Sequence, residues 1–185
     1  MASTQITTGK VRFSYVHVFE PYAALDGAVP KYNVTLLIPK SDKFTLGKIA
    51  EAMAAAKAQY AESHSGKPLP ANCKSTLHDG DDLRPSGDEF GPECKGCMVM
   101  TVSSNRKPVL IDANKIPITD ESELYSGCYG RAIINFYGYD TQGNKGISAG
   151  LNAIMKLHDG EPLGGGIVTD SDWDDGWTDT DDLLG

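Results

Sequence analysis

The segment Cys128 to Asp140, CYGRAIINFYGYD, alternates small or apolar residues with polar and aromatic ones along its whole length. Successive side chains of a strand turn to opposite faces, so a period of two describes a sheet with one buried and one open side. Cys128, Gly130, Ala132, Ile134, Phe136 and Gly138 form the core face. Tyr129, Arg131, Ile133, Asn135, Tyr137 and Tyr139 form the outer one. A long strand of this kind needs partner strands to share its core face.

Other segments supply them. Residues 10–19 (KVRFSYVHVF) alternate and stop at Glu20-Pro21, with Val11, Phe13, Tyr15, His17 and Phe19 on one face and Lys10, Arg12 and Ser14 on the other. A polar turn around Asp26-Gly27 leads to a strand from Lys31 to Ile38, whose core face is Tyr32, Val34, Leu36 and Ile38. The two read as a hairpin. Ser41 or Asp42 caps a helix from about Lys43 to His64, where Leu46, Ile49, Ala50, Met53 and Tyr60 recur at helical spacing around an Ala-rich centre. Residues 65–97 are rich in Gly, Pro and Asp and form a long irregular excursion. Strands resume over 98–103, 109–112, 128–140 and 147–157. This non-alternating order predicts a mainly β barrel or sheet with one long inserted helix, not repeated βαβ units.

The C-terminus follows another rule. Residues 170–185, DSDWDDGWTDTDDLLG, hold seven aspartates, two tryptophans and no Lys or Arg. Such a segment cannot bury enough apolar surface to offset its ordering entropy. The expectation is a disordered acidic tail over 166–185 attached to one domain over 1–165. The tail also hides the charge of the body. The net charge of -8 divides into +1 for residues 1–156, with 17 basic against 16 acidic residues, and -9 for the remainder. The acidic balance therefore does not argue against a nucleic-acid partner. No apolar run approaches the ~20 residues of a membrane span, and MASTQITTGK lacks the apolar stretch of a secretory signal. The expectation is a soluble cytoplasmic protein without a membrane partner.

The outer face of 128–140 sets Tyr129, Arg131, Ile133, Asn135, Tyr137 and Tyr139 in a row at ~6.6 Å, twice the strand rise. Aromatic platforms interleaved with cations suit single-stranded nucleic acid, because every base offers a π-face and every phosphate a charge. Half-buried sheet faces also favour tyrosine for packing alone. Arg12 and Tyr15 on the first strand, Arg106 and Lys107 on a turn, and Lys145 on another add to the set. Cys94 and Cys97 have zinc-ligand spacing, but no second such pair occurs, and unconnected thiols are the favoured reading. Asp79, Asp81 and Asp82 lie in an Asp-Gly turn whose spacing does not match a calcium loop. No P-loop, GxSxG, HExxH or dinucleotide fingerprint occurs, and nothing calls for a cofactor.

Three pieces carry a resemblance: KYNVTLLIPKSD (31–42), KPVLIDANKIPITDESELYSGCYGRAIINFYGYD (107–140) and KGISAGLNAIMKLHDGEPLGG (145–165). They resemble a phage protein family long catalogued as a domain of unknown function and associated with single-stranded DNA-binding proteins of OB-fold type. The resemblance implies an OB-fold barrel and a non-enzymatic role on single-stranded DNA in phage replication or recombination, in the cytoplasm of the host. It implies no particular contact residues, so the DNA-binding set rests on the strand faces: Arg12, Tyr15, Arg106, Lys107, Tyr129, Arg131, Tyr137, Tyr139 and Lys145. The tail resembles those of replication single-stranded DNA-binding proteins. Trp173, Trp177, Asp181, Asp182, Leu183 and Leu184 are its candidate contacts to replication proteins, although its Leu-Leu-Gly end departs from the usual aromatic tip. Duplex DNA is a second candidate ligand. The alternative from another class is a metal-dependent nuclease at Asp79, Asp81 and Asp82, and a third is a module that binds only proteins.

Overall fold

The computed structural model describes residues 3–23, 26–141 and 143–163. The tail residues named above lie outside them. In chain order the elements are β1 (Gln5–Thr7), β2 (Val11–Tyr22), β3 (Lys31–Pro39), α1 (Lys43–Ser63), β4 (Lys74–Ser75), β5 (Leu77–Asp79), β6 (Cys97–Ser104), β7 (Val109–Ile111), β8 (Tyr129–Thr141) and β9 (Asn144–His158).

Five of these strands close a ring. β2 pairs antiparallel with β3, β3 with β6, β8 with β9 and β2 with β8, while β6 meets β9 in parallel. Counting only these five in chain order, the ring runs first, second, third, fifth, fourth and back to the first. This is the closed Greek-key arrangement of an OB-type barrel. Closure removes the sheet edges that would otherwise invite pairing with another chain. β1 continues the β2 side of the ring along β8, opposite Ile133 to Asn135, and was not legible as a strand.

The predicted core face of β8 holds. Ala132, Ile134 and Phe136 are buried with Phe13, Val34, Leu36, Ile38, Met100, Val102, Ile147, Leu151 and Ile154. Each such large apolar side chain contributes roughly 1.5–3 kcal/mol when withdrawn from water. Helix α1 begins where Asp42 accepts the Thr45 N–H at 3.0 Å, a side-chain N-cap. Its buried stripe is Thr45, Ile49, Ala52, Ala56 and Tyr60. Ala50, expected in the stripe, is exposed, because the helix is rotated to bring Ala52 and Ala56 against β8. Gly138 makes that approach possible, since a Cβ there would stand 2.9 Å from the Tyr60 side chain.

The first strand departs from simple alternation. Ser14 pairs with Thr35 and His17 with Asn33, so β2 carries one extra residue at this point. A second irregularity separates His17 from Tyr22, which pairs with Lys31. Bulges of this kind re-aim side chains. Tyr15 and His17, which alternation sets on one face with Phe13, instead line the outer groove while Phe13 and Val18 enter the core. Tyr15 takes φ 47°, a left-handed conformation uncommon for a bulky residue.

Candidate nucleic-acid interface

The outer face of β2, β3 and β6 is not flat. At one end the excursion folds down on it, and Phe90 and Cys94 bury Leu37 and Val99 in a small second core. The excursion is held by polar contacts. Lys40 Nζ lies 2.7 Å from both Asp79 Oδ1 and Asp81 Oδ2, and Asp81 also accepts the Gly96 N–H at 3.1 Å. Hydrogen bonds from Lys40 hold the Asp79 and Asp81 carboxyls below their usual range, and the two carboxylates raise Lys40 in turn. Asp82 accepts the N–H of Leu83. The three carboxylates of the nuclease alternative are thus spent on folding a loop, and no cluster able to hold a metal ion occurs among the described residues. Burial raises the Cys94 and Cys97 thiols, the opposite of what a thiolate ligand needs.

Beyond the plug the same face opens into a groove of about 710 Å³. Its floor is Ser14, Asn33, Thr35, Thr101 and Ser103, the outward residues that alternation along β3 and β6 dictates. Thr35 and Thr101 hydroxyls bond each other at 3.1 Å. One wall comes from the excursion, where Arg84 lies over the Phe90 ring at 4.7 Å. The other comes from β2 and the loop after it. There the bulges bring Tyr22 onto His17, with ring centroids 4.1 Å apart and planes within 8°. Tyr15 and Tyr22 are 56% and 48% exposed. Burial lowers the His17 imidazole below its ordinary range, so it stands neutral at pH 7. Lys31 completes the lining at the open end. Close by, Lys107 Nζ sits 5.5 Å over the Phe19 ring, and the Arg106 N–H bonds the Ser104 hydroxyl.

Of the nine DNA-binding residues expected from the sequence, only Tyr15 lines this groove. Arg106 and Lys107 lie on the turn between β6 and β7, outside its lining. Of the others, Tyr129, Arg131, Tyr137 and Tyr139 lie on the outer face of β8, a strand separated from β3 around the ring by β2 on one side and by β9 and β6 on the other, while Arg12 is on β2 and Lys145 on β9. Tyr137 is exposed there, while Lys145 pairs with Asp140 at 3.9 Å. Arg131 donates from Nε to the Thr8 carbonyl at 2.8 Å. Tyr129 stacks on His158 at 4.8 Å, and Arg12, 5.4 Å over its ring, donates to the carbonyls of Gly127 and Glu161. The row of tyrosines exists as expected, but half of it is engaged within the protein. Tyr22, His17, Phe90, Lys31 and Arg84, which line the groove, were not singled out from the sequence. Lys31, Asn33 and Thr35 were legible as the polar side of β3, whereas no local signal announces the bulges that gather the rings.

A closed five-strand ring of OB topology, with an aromatic and cationic groove across its second and third strands, defines a class of oligonucleotide- and oligosaccharide-binding proteins. The chain belongs within that class to the family of the single-stranded DNA-binding protein of Enterobacter phage Enc34, whose family model matches residues 4–184. It is 32% identical over 181 residues to a putative protein, p50, of Acyrthosiphon pisum secondary endosymbiont phage 1, covering 92% of this chain and 93% of that one. The structure of the bacteriophage Enc34 single-stranded DNA-binding protein in complex with ssDNA superposes with a TM-score of 0.75 at 29% identity, covering 87% of this chain and 90% of the other. A fold likeness extends to gp2.5, the single-stranded DNA-binding protein of bacteriophage T7, with a TM-score of 0.60 at 16% identity and 95% of both chains covered.

Proposed function

We propose that the protein binds single-stranded DNA, without catalysis, along the groove on β2, β3 and β6, and that it does so in phage DNA replication or recombination. The observation that carries this reading is the wall of exposed rings, Tyr15 and Tyr22 stacked on His17, facing Arg84 where it lies on the buried Phe90. Bases stacked on such platforms contribute roughly 1–3 kcal/mol each. Stacking needs free base faces, which a duplex does not offer, so the groove favours single strands. The floor of small hydroxyl and amide groups, two of them satisfied by each other, leaves little to read base edges. Binding is accordingly tolerant of sequence. Lys31 and Arg84 of the lining, with Arg106 and Lys107 on the turn after β6, supply phosphate contacts.

The expected β8 set remains a second stretch of surface for the strand. Tyr137 is its exposed ring, with Tyr139 beside it on the same face; Lys145, paired with Asp140, and Tyr129 and Arg131, whose ring or polar contacts are already made, contribute less. The acidic tail completes the reading. The seven aspartates of residues 170–185 compete with DNA for the cationic groove at an effective concentration set by the tether. Displaced by DNA, the tail offers Trp173, Trp177, Asp181, Asp182, Leu183 and Leu184 to replication proteins.

Salt-titrated binding to single-stranded and duplex oligonucleotides tests both parts, on the full chain and on one lacking residues 166–185. The expected result is a preference for single strands, affinity that falls steeply with salt, and tighter binding on deletion, most visible at low salt. Affinity independent of salt would refute the groove, and no change on deletion would refute the competing tail.

A further inference from the structure

The last described residues do not simply leave the barrel where β9 ends. His158 of β9 is opposite Tyr129 of β8, Tyr129 is opposite Arg12 of β2, and Arg12 is opposite Leu37 of β3. These residues form one row across four strands. The segment from Asp159 to Leu163 runs along this row, perpendicular to the strands. At its start Asp159 is held by Lys156 at 2.7 Å. The Gly160 N–H donates to the Tyr125 hydroxyl at 3.1 Å. Gly160 presses against Tyr129 so closely that a Cβ there would collide with the ring and with the Gly127 carbonyl. Arg12 then takes hold of the Glu161 carbonyl with one nitrogen and the Gly127 carbonyl with another. Finally the Leu163 N–H donates to the Ser126 carbonyl at 2.8 Å, and the Leu163 side chain packs on the Leu37, Phe90, Cys94 and Val99 cluster. Those four residues also line the closed end of the groove.

We propose that Asp159–Leu163 is a strap that carries the root of the acidic tail across the barrel and delivers it to the groove, with Arg12 and Leu163 as its positioning residues. This rests on the reading that the tail competes with DNA. Three strand spacings separate β9 from β3, about 14 Å. Unhooking the strap returns the tail's origin to the end of β9 and adds five residues of tether. For a chain of this length whose r.m.s. span grows as about 5–6 Å times the square root of residue number, the acidic residues' effective concentration at the groove falls about threefold. Arg12 is thereby reassigned. It holds the competitor in place, and its removal tightens DNA binding where loss of a phosphate contact would weaken it.

The test measures ssDNA affinity at low salt for the full chain, for Arg12→Gln and for Leu163→Ser, each also in a background lacking residues 166–185. The barrel strands close the ring within residues 11–158, so the deletion leaves the groove's frame intact. The strap predicts about threefold tighter binding for each substitution in the full chain and no change in the deleted background. If the deletion tightens binding but neither substitution does, the strap is wrong while the competing tail stands. If the deletion itself changes nothing, the tail reading falls and the strap with it. Weaker binding by Arg12→Gln in both backgrounds makes Arg12 a DNA contact or a purely structural residue, and overturns the proposal either way.

Discussion

Tyr137 on β8 and Tyr22 on β2 are similarly exposed, at 41% and 48%, yet one stands on an open face and the other in a walled groove. Around Tyr137 the strand keeps regular pairing with β9, opposite Ser148. Its ring is one of a row, with no wall facing it. Around Tyr22 two irregularities in β2 bend the strand, lay the ring on His17 and set it across the floor from Phe90 and Arg84. An aromatic ring on a flat sheet can stack one face of a base. Rings along one wall of a groove, with a cation on the facing wall, desolvate the base and hold the phosphate as well. The difference teaches that exposure and residue type do not make a binding surface until the backbone gives them concavity.

The sharpest way to break this comparison is to remove rings from each face separately. Tyr15→Ala with Tyr22→Ala is expected to weaken ssDNA binding about tenfold or more, from the loss of two stacking platforms. Tyr137→Ala with Tyr139→Ala is expected to cost less than about twofold. Equilibrium titration by fluorescence anisotropy reads both. The reverse order would move the DNA to the β8 face, as the sequence first suggests.

The charges sharpen the same contrast. Lys31 and Arg84 stand at the groove, whereas Lys145 is neutralised in part by Asp140 and Arg131 is tied to the Thr8 carbonyl. Replacing Lys31 or Arg84 by Ala is expected to lower the slope of log affinity against log salt by roughly one each, with a several-fold loss at moderate salt. Lys145→Ala should leave the slope nearly unchanged. An unchanged slope in both groove variants would take the phosphates off that rim.

Much of the barrel was legible because regular strands announce themselves. Alternation in Cys128–Asp140 and Lys31–Ile38, the Asp42 cap and the Ala-rich helix each report local physics that the tertiary structure leaves intact. What failed was non-local or irregular. Alternation set Tyr15 and His17 on one face with Phe13 because a bulge is an exception to the very period used to read a strand. Leu37 looked like an outward residue of β3, and outward it is, but Phe90 and Cys94 arrive from more than fifty positions away to bury it. The excursion read as irregular because its few stabilising contacts, Lys40 with Asp79 and Asp81, join segments far apart in the chain. Tyr129 and Arg12 were correctly placed on outer faces, yet the row they share with His158 is crossed by a segment that carries no pattern of its own. Residues of a site are thus readable by type, while their grouping depends on register, and register shifts at bulges.

The smallest effect discriminates the two faces by pH. His17 is kept neutral by burial, with its imidazole below the ordinary value of about 6.5. For folding, a depressed histidine contributes stability above that value, which is lost as pH falls toward the lower folded value. For binding the sign is opposite. Phosphates brought into the groove favour the imidazolium, so the complex takes up a proton that the free protein refuses. Affinity for ssDNA should therefore rise two- to threefold as pH falls from about 7.5 to 6, and level off once the free protein is itself protonated. His78 also lines the groove, so the attribution needs a comparison. His17→Gln is expected to flatten the pH dependence, and His78→Gln to leave most of it. Persistence of the full dependence in His17→Gln would place the responding group, and with it the bound phosphates, away from the Tyr22 stack.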